Sequence, residues 1–387
     1  MSPHEIPPTS QPTHIEDNLH ILFPEFDIST NGFLPKESPI DRLPNPYYAP
    51  WESLIRDLPL SLNTQTLREK VLKLPVLSTA DLTTEPEWQR AYAILGLLAH
   101  GYIWGGEIPS ESWFLMVSVA MEARGAYIIP IMLRALQETQ SGRKCDVGLV
   151  VRGLDELARC IHDVGALLDR MDEKCDPHVF YHRIRPFLAG SKNMAAAGLP
   201  RGVFYDEGEG RGEWRQLRGG SNGQSSLVQF FDVVLGVEHL PGGSGGPDGL
   251  VQGGSGKEEM SFHREVRGYM PEPHRRFLEY VAGMGGGGGM RRGVPEVMAV
   301  ARLEGREEEV LGVKEAFQGA TRALAEFRNK HLQIVTRYII IPSRQERQRQ
   351  SEDAIKGSAL TGTGGTALIP FLKQSRDETW QAGVIEC

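Results

Sequence analysis

The sequence predicts an all-α protein divided into two domains. Three observations carry that expectation. Apolar residues recur at spacings of three and four over long stretches, the period of an amphipathic helix. Convincing pairs of strand patterns are absent. The length, 387 residues, suggests two hydrophobic cores rather than one. Composition is that of an ordinary globular chain, 40% hydrophobic and 24% charged.

Residues 1–20 are polar and proline-rich and read as a disordered tail. They lack the apolar stretch behind basic residues that marks a signal peptide. Residues 21–50 read as irregular, with several prolines and "NGFLP". From Trp51 helical signals take over. In "SLNTQTLREKVLKLPVLS" Leu67, Val71 and Leu74 share a face. "PEWQRAYAILGLLAHGYIWGG" has Pro86 near its start and Gly105-Gly106 after its end, as a helix should. "SESWFLMVSVAMEARGAYIIPIMLRALQETQ" reads as one further helix, with Phe114, Val117, Ser118 and Met121 on one face. "DVGLVVRGLDELARCIHDVGALLDRM" and "PHVFYHRIRPFLAG" follow. "SSLVQFFDVVLGVEH" is a helix in which Ser226 and Gln229 are placed as a capping box. The expected division is a small N-terminal domain over 21–108 and a large helical domain over 109–387. Glycine-rich stretches at 241–259 and 283–293 read as mobile surface linkers. A third stretch, 343–366, begins charged and solvated and ends in the cluster "GTGGT".

The segment "EFRNKHLQIVTRYIIIP" holds the most unusual side chain. On a helix Phe317, Ala320, Leu324, Phe327, His331, Ile334, Val335 and Tyr338 form one apolar face. Arg322, Glu326, Arg328, Lys330, Gln333 and Arg337 lie on the opposite, half-solvated face, and Pro342 is expected to stop the helix. An imidazole among apolar residues has two readings. It is a core histidine satisfied by a carbonyl or a water, or it is a ligand to something flat and apolar, such as haem iron.

Charge and cysteine usage narrow the partners. Lys plus Arg number 42 against 50 for Asp plus Glu, so no nucleic-acid footprint is expected. Four cysteines, Cys145, Cys160, Cys175 and Cys387, show no CxxC pair or metal-ligand spacing and suit a reducing compartment. The apolar run "AYAILGLLA" is too short to span a bilayer, so a soluble cytoplasmic protein is expected.

Other chemical signals are individually ambiguous. "RGGSNGQSS" opens a helix and could cradle a phosphate on backbone amides. It lacks the P-loop lysine and follows no strand. It reads equally as a connection, or as a close backbone approach that glycine permits. "FYHRIRPFLAG" is either a surface helix with ordinary arginines or an aromatic and an arginine inside a pocket, which would suit a flat ring bearing a carboxylate. A serine such as Ser118 on a core face usually bonds back to its own helix. No histidine or acid beside it makes it a nucleophile.

Longer motifs resolve these ambiguities by resemblance. "RPFLAGSKN", "RGGSNGQSSLVQFFDVVLG", "YMPEPHRRFLEYV", "FRNKHLQIVTRYIIIP" and "GTGGTALIPFLKQSRDET" occur in one order. Together they resemble the indoleamine 2,3-dioxygenase family, its fungal branch especially, over about residues 25 to 380. The resemblance implies a two-domain, all-α haem dioxygenase fold and haem b as cofactor. It implies His331 as the proximal ligand of the haem iron. Arg328 and Asp232 would be a charged pair at the haem edge, with Gly220 and Ser221 approaching haem and substrate. Phe114, Ser118 and Tyr102 would line the distal pocket. Phe180 would pack on an indole ring, and Arg185 with Thr363 would hold a carboxylate. The implied reaction joins L-tryptophan and O2 to give N-formyl-L-kynurenine, the first step of the kynurenine pathway toward NAD. The difficult chemistry would belong to the cofactor, with no side chain as catalytic acid or base. An unidentified electron donor and a monomeric state are also implied.

One departure from the family stands out. Its members carry a helical segment between the tyrosine–tryptophan helix and the distal serine helix. Here Ser118 follows Trp104 by only fourteen residues, across "GGEIPSESWFLMVS". The segment is expected to be missing, through a skipped or mis-assigned exon or a real deletion. Its loss should bare apolar residues of "AILGLLA" and "FLMVSVAM". The alternative function is then a haem-binding paralogue with little or no turnover.

Overall fold

A computed structural model describes residues 24–64, 66–104, 109–192, 194–195, 198–208, 211–240, 261–349 and 368–385. The tail 1–20, the linker 241–259, Thr363 and the cluster "GTGGT" lie outside these residues.

Helices dominate, and they surround two buried apolar clusters. Ala49–Arg56 (α1), Leu58–Asn63 (α2), Leu67–Leu72 (α3) and Glu85–Trp104 (α4) enclose the smaller. Its members include Tyr48, Trp51, Leu54, Leu67, Ile94 and Leu98. One buried carboxylate ties three of its segments together. Glu52 accepts from the Leu43 backbone N–H at 2.8 Å and from Arg90 at 3.1 and 2.6 Å.

The larger cluster is built by Pro109–Gly125 (α5), Ile128–Glu138 (α6), Val147–Asp169 (α7) and Ser226–Leu235 (α8). The short helix Phe262–Arg267 (α9) leads into Glu272–Gly283 (α10) and Gly289–Leu303 (α11). Glu307–Val335 (α12), Ile341–Arg349 (α13) and Leu368–Ala382 (α14) close the chain. Helix α12 is the axis, packed on α7, α11 and α14. Phe26, Ile28 and Phe33 join this larger cluster, with Phe33 edge-on to Phe230 and Phe277.

Several expectations are corrected. The helix read over "SESW…ETQ" is two, with axes bent by 42°. The first ends at Gly125, where a Cβ would fall 2.2 Å from the Leu227 side chain of α8. A two-stranded antiparallel hairpin exists, Val203–Gly208 (β1) with Arg211–Arg215 (β2). It escaped the sequence because β2 is exposed throughout and has no apolar face to alternate. The 283–293 stretch is packed structure rather than a mobile linker: Gly289, Met290 and Gly293 are buried at the start of α11. Gly289 has φ +56° and lies so close to α8 that a Cβ would meet the Val233 carbonyl at 2.5 Å. Glycine is required there for close approach, not for freedom.

At α8 the N-cap is Ser225, not Ser226. Its Oγ accepts from the Val228 N–H at 3.1 Å, and no Ser226–Gln229 capping box forms. Nor does Pro342 stop the long helix. Thr336–Ile340 widens into a π-turn, after which α13 runs from Ile341. Pro342 thereby falls in the first turn of a new segment, where a missing N–H costs nothing. Arg328, read as half-solvated, is buried in an ion pair. Among the described residues no single helix is long and apolar enough to cross a membrane.

Candidate functional site

A cavity opens inside the larger cluster, between α5, α9, α12, α14 and the loops around 180–188 and 220–225. It has two lobes. The larger, about 350 Å³, is walled by Phe114, Met121, Leu168, Phe180, Ile334 and Tyr338. Arg185 is the only charged side chain lining it among the described residues. The smaller, about 100 Å³, takes in the polar side chains of Glu122, Gln229, His263, Arg328 and Ser375. Ser118, Ser221, Asn222, Phe262, His331 and Phe371 line both.

Local backbone geometry brings these side chains together. Phe180–Ile184 is a π-turn, closed by the Arg185 N–H on the Phe180 carbonyl. Such a turn aligns residues five apart. Phe180 and Arg185 therefore reach the same lobe, which ordinary helical spacing would have divided. The Phe180 ring is held edge-on by Phe114 at 5.3 Å and by Tyr338 at 5.5 Å. The second π-turn, at 336–340, carries Tyr338, whose hydroxyl donates to the Cys175 carbonyl at 2.8 Å. Burial draws the Arg185 guanidinium below its ordinary range, with the Tyr181 ring beneath it at 5.5 Å.

His331 projects from α12 into the cavity. No hydrogen bond to its ring is found among the described residues. Burial first, and then the Arg328 charge, pushes its pKa down to about 4. It is therefore neutral near pH 7 with ring nitrogens unused, the state in which imidazole binds metal. No group of three or more His, Cys, Asp or Glu that could hold a bare ion exists among the described residues. A lone free imidazole in an apolar cavity suits instead a metal that brings its own equatorial ligands, as haem does.

Arg328 and Asp232 form a buried pair: one guanidinium nitrogen reaches both carboxylate oxygens, at 2.7 and 2.8 Å. Burial alone would raise the Asp232 carboxyl, but Arg328 and His239 hold it well below the usual range. His239 bridges Asp232, at 3.3 Å from Nε2, and Glu378, at 2.6 Å from Nδ1. Its pKa is raised: burial opposes the charged form, and the carboxylates overcome it.

The structure thus brings Phe114, Ser118, Phe180, Arg185, Gly220, Ser221 and His331 to one cavity lobe, with Arg328 on the other and Asp232 behind it. Ser118 bonds back to the Phe114 carbonyl at 3.3 Å, as a core-face serine commonly does. A Cβ on Gly220 would meet only Leu188, at 3.8 Å, leaving that backbone open to the cavity. The Tyr102 side chain and Thr363 lie outside the described residues. Sequence reasoning missed Glu122, Gln229, His239, His263, Ser375 and Glu378. His239 follows the left-handed Gly236 that ends α8, and His263 sits in a six-residue helix. Neither position carries a period that could report its direction.

The sequence pattern of a family described as indoleamine 2,3-dioxygenase matches residues 22–111 and 106–382. The two stretches meet at the junction of α4 and α5. The chain is 35% identical over 424 aligned positions to an indoleamine 2,3-dioxygenase of Aspergillus nanangensis, covering 92% of this chain and 96% of that protein. It is 34% identical over 422 positions to one of Penicillium citrinum, covering 92% and 87%. More distant similarity reaches a 6-hydroxytryptophan 2,3-dioxygenase of Fusarium equiseti, 29% over 434 positions covering 95% and 99%. A protein named myoglobin from Haliotis madaka is 26% identical over 398 positions covering 88% and 93%. Each alignment is longer than the 387-residue chain, so each opens gaps against it.

Proposed function

The chain belongs to the indoleamine 2,3-dioxygenase family, and on that premise we propose that it cleaves the C2–C3 bond of L-tryptophan with O2 to give N-formyl-L-kynurenine. Both oxygen atoms enter the product, so the step balances with O2 as the sole oxidant and no second product. The enzymes of this family are haem dioxygenases, and the fit of a free, neutral His331 in an apolar cavity supports haem b here. Haem, when bound, supplies the activation of O2. His331 would hold its iron, and Arg328, fixed by Asp232, would brace the helix that carries His331. Gly220 and Ser221 would let backbone approach closely.

One observation carries the substrate class. Arg185 is the only charged side chain lining the larger lobe among the described residues, and it stands with Phe180 and Phe114. An aromatic wall and a single cation suit an amino acid with a flat ring, its carboxylate on the guanidinium. Ser118, its hydroxyl tied to its own helix, would serve as lining rather than as a base. We extend the reading to Tyr102 as further lining and to Thr363 as a second group on the carboxylate. A cytoplasmic monomer served by an unidentified electron donor, acting at the head of the kynurenine pathway, completes the proposal. Buried free thiols at Cys145, Cys160 and Cys175 support the reducing setting. The division into units 21–108 and 109–387 belongs to the same proposal. It is supported by the separation of the two clusters, with Phe26, Ile28 and Phe33 lent to the second.

The test is to load the purified chain with haem, reduce it without air, then add L-tryptophan and O2 and look for N-formyl-L-kynurenine by mass. Arg185→Ala should lower kcat/KM about ten- to a hundredfold, the loss expected for one partner of a charge-assisted pair. Haem binding should survive in that variant. Equal loss of haem would assign Arg185 to folding instead. The second reading, a haem protein without turnover, is favoured by the broken family match at the α4–α5 junction. Full haem loading with no product from tryptophan or 6-hydroxytryptophan would establish it.

A further inference from the structure

His263 lines the smaller lobe, yet nothing above uses it. It is the second residue of α9, and three rings fix its plane. The His239 ring lies almost parallel to it, 3.8 Å between centroids and 21° between planes. Phe371 stacks at 5.3 Å and Phe262 meets it edge-on at 5.8 Å. The backbone is fixed as well, since the Gln229 amide donates to the His263 carbonyl at 3.1 Å. No hydrogen bond to its ring nitrogens is found among the described residues. A side chain oriented so firmly, with a free donor, faces a cavity and not its own fold.

Charged side chains surround this ring: Arg328 and Arg267 on the cationic side, Asp232 and Glu378 on the anionic, with His239 held between the two carboxylates. Arg267 spends its Nε on the neutral Gln229 side chain. Glu122, the remaining acid of the lobe, is pushed toward its neutral form by burial. Burial, His239 and the two arginines likewise keep the His263 imidazole neutral. The lobe therefore offers the His263 N–H donor together with the Arg328 guanidinium, a combination that suits an acidic group. In the larger lobe Arg185 is the one cation among the described residues.

Resting on the reading that this cavity takes haem, we propose that His263 is a cofactor-binding residue that hydrogen-bonds an acidic group on the rim of the macrocycle. The stacked His239 acts as a positioning residue that sets the angle of the His263 ring. The macrocycle itself needs only apolar walls and His331. The contact with His263 would fix which way its acidic edge points.

The experiment compares two ligands on full-length cofactor-free protein: iron protoporphyrin IX, and its dimethyl ester, whose acid groups are capped. Binding is followed by the Soret band. His263→Leu, of similar volume, should weaken binding of the acid form about tenfold, one hydrogen bond to a charged group. It should leave the ester unchanged. His263→Gln, which keeps a donor, should recover most of the loss. The absorption signature of histidine-bound iron should be the same in all variants, which shows that His331 and the fold are intact. Equal weakening of both ligands, or of neither, would overturn the assignment of His263 while leaving the haem reading in place. Wild-type protein that takes up neither ligand would remove both.

Discussion

Around Trp51 and around Phe327 the chain builds two buried clusters that differ in how they are finished. The cluster about Phe327 contains a cavity, yet its helices cover one another: α12 is walled by α7, α11 and α14. The cluster about Trp51 is bare on one flank. On α4, Tyr92 is 82% exposed, Leu95 45% and Leu97 49%. Across the junction, Leu115 and Val119 of α5 are 53% and 46% exposed. These residues flank the point where the family match divides in two. The difference teaches that a core is completed by its neighbours, not by the apolarity of its own helices.

The largest effect should come from the closed cluster. His331→Ala should abolish stable haem incorporation and leave helical content nearly unchanged, because the cluster is complete without the cofactor. Circular dichroism and the Soret band on one sample check both halves. A large loss of helix would mean that the two clusters are equally fragile and would break the comparison.

Next is the open flank. Inserting the relatives' residues between Trp104 and Pro109 should cover it, at about 5 kcal/mol for roughly 200 Å² of apolar surface. Solubility and urea denaturation of the two forms give the measurement. Sequencing the transcript across codons 100 to 115 shows which form is made. Identical denaturation midpoints would mean that the bare residues are not a missing contact.

A smaller effect sharpens the contrast from inside the Trp51 cluster. Glu52→Ala leaves Arg90 and the Leu43 N–H without their acceptor and should cost about 2–3 kcal/mol. The same carboxylate sets a pH dependence. Burial would raise its pKa, but Arg90 and Leu43 outweigh it and hold it below the ordinary 4.5. A depressed acid stabilises the fold fully above its unfolded pKa and stops doing so as pH falls through its folded one. Hydrogen exchange over 43–98 should therefore quicken before that of α12 as pH drops below about 4.5. Glu52→Gln should remove the pH dependence of that difference. If α12 loses protection first, the ranking of the two clusters is reversed.

Much of the site was legible because its residues sit on long periodic helices or inside extended motifs. His331 and Ser118 face the cavity as their helical periods require. Arg185 was not legible from spacing: a π-turn, which no apolar period announces, carries it to Phe180. The hairpin at 203–215 was missed for want of a buried face. The 283–293 stretch was misread because glycine means flexibility in a free chain and close approach in a packed one.

By itself, then, the sequence determined the helical class and the position of His331 on an apolar face. It also marked the family motifs and raised the expectation of a gap after Trp104. Periodicity and order are written along one dimension, so one dimension suffices to read them. Only the tertiary structure decided that Arg328 is buried against Asp232, and that His239 stands between two carboxylates. It alone placed His263 against the cavity. Glu378 is far from His239 along the chain, and its charge acts on that ring only because the fold brings α14 beside it. Electrostatics and burial depend on distance through space, which no local pattern of residues contains.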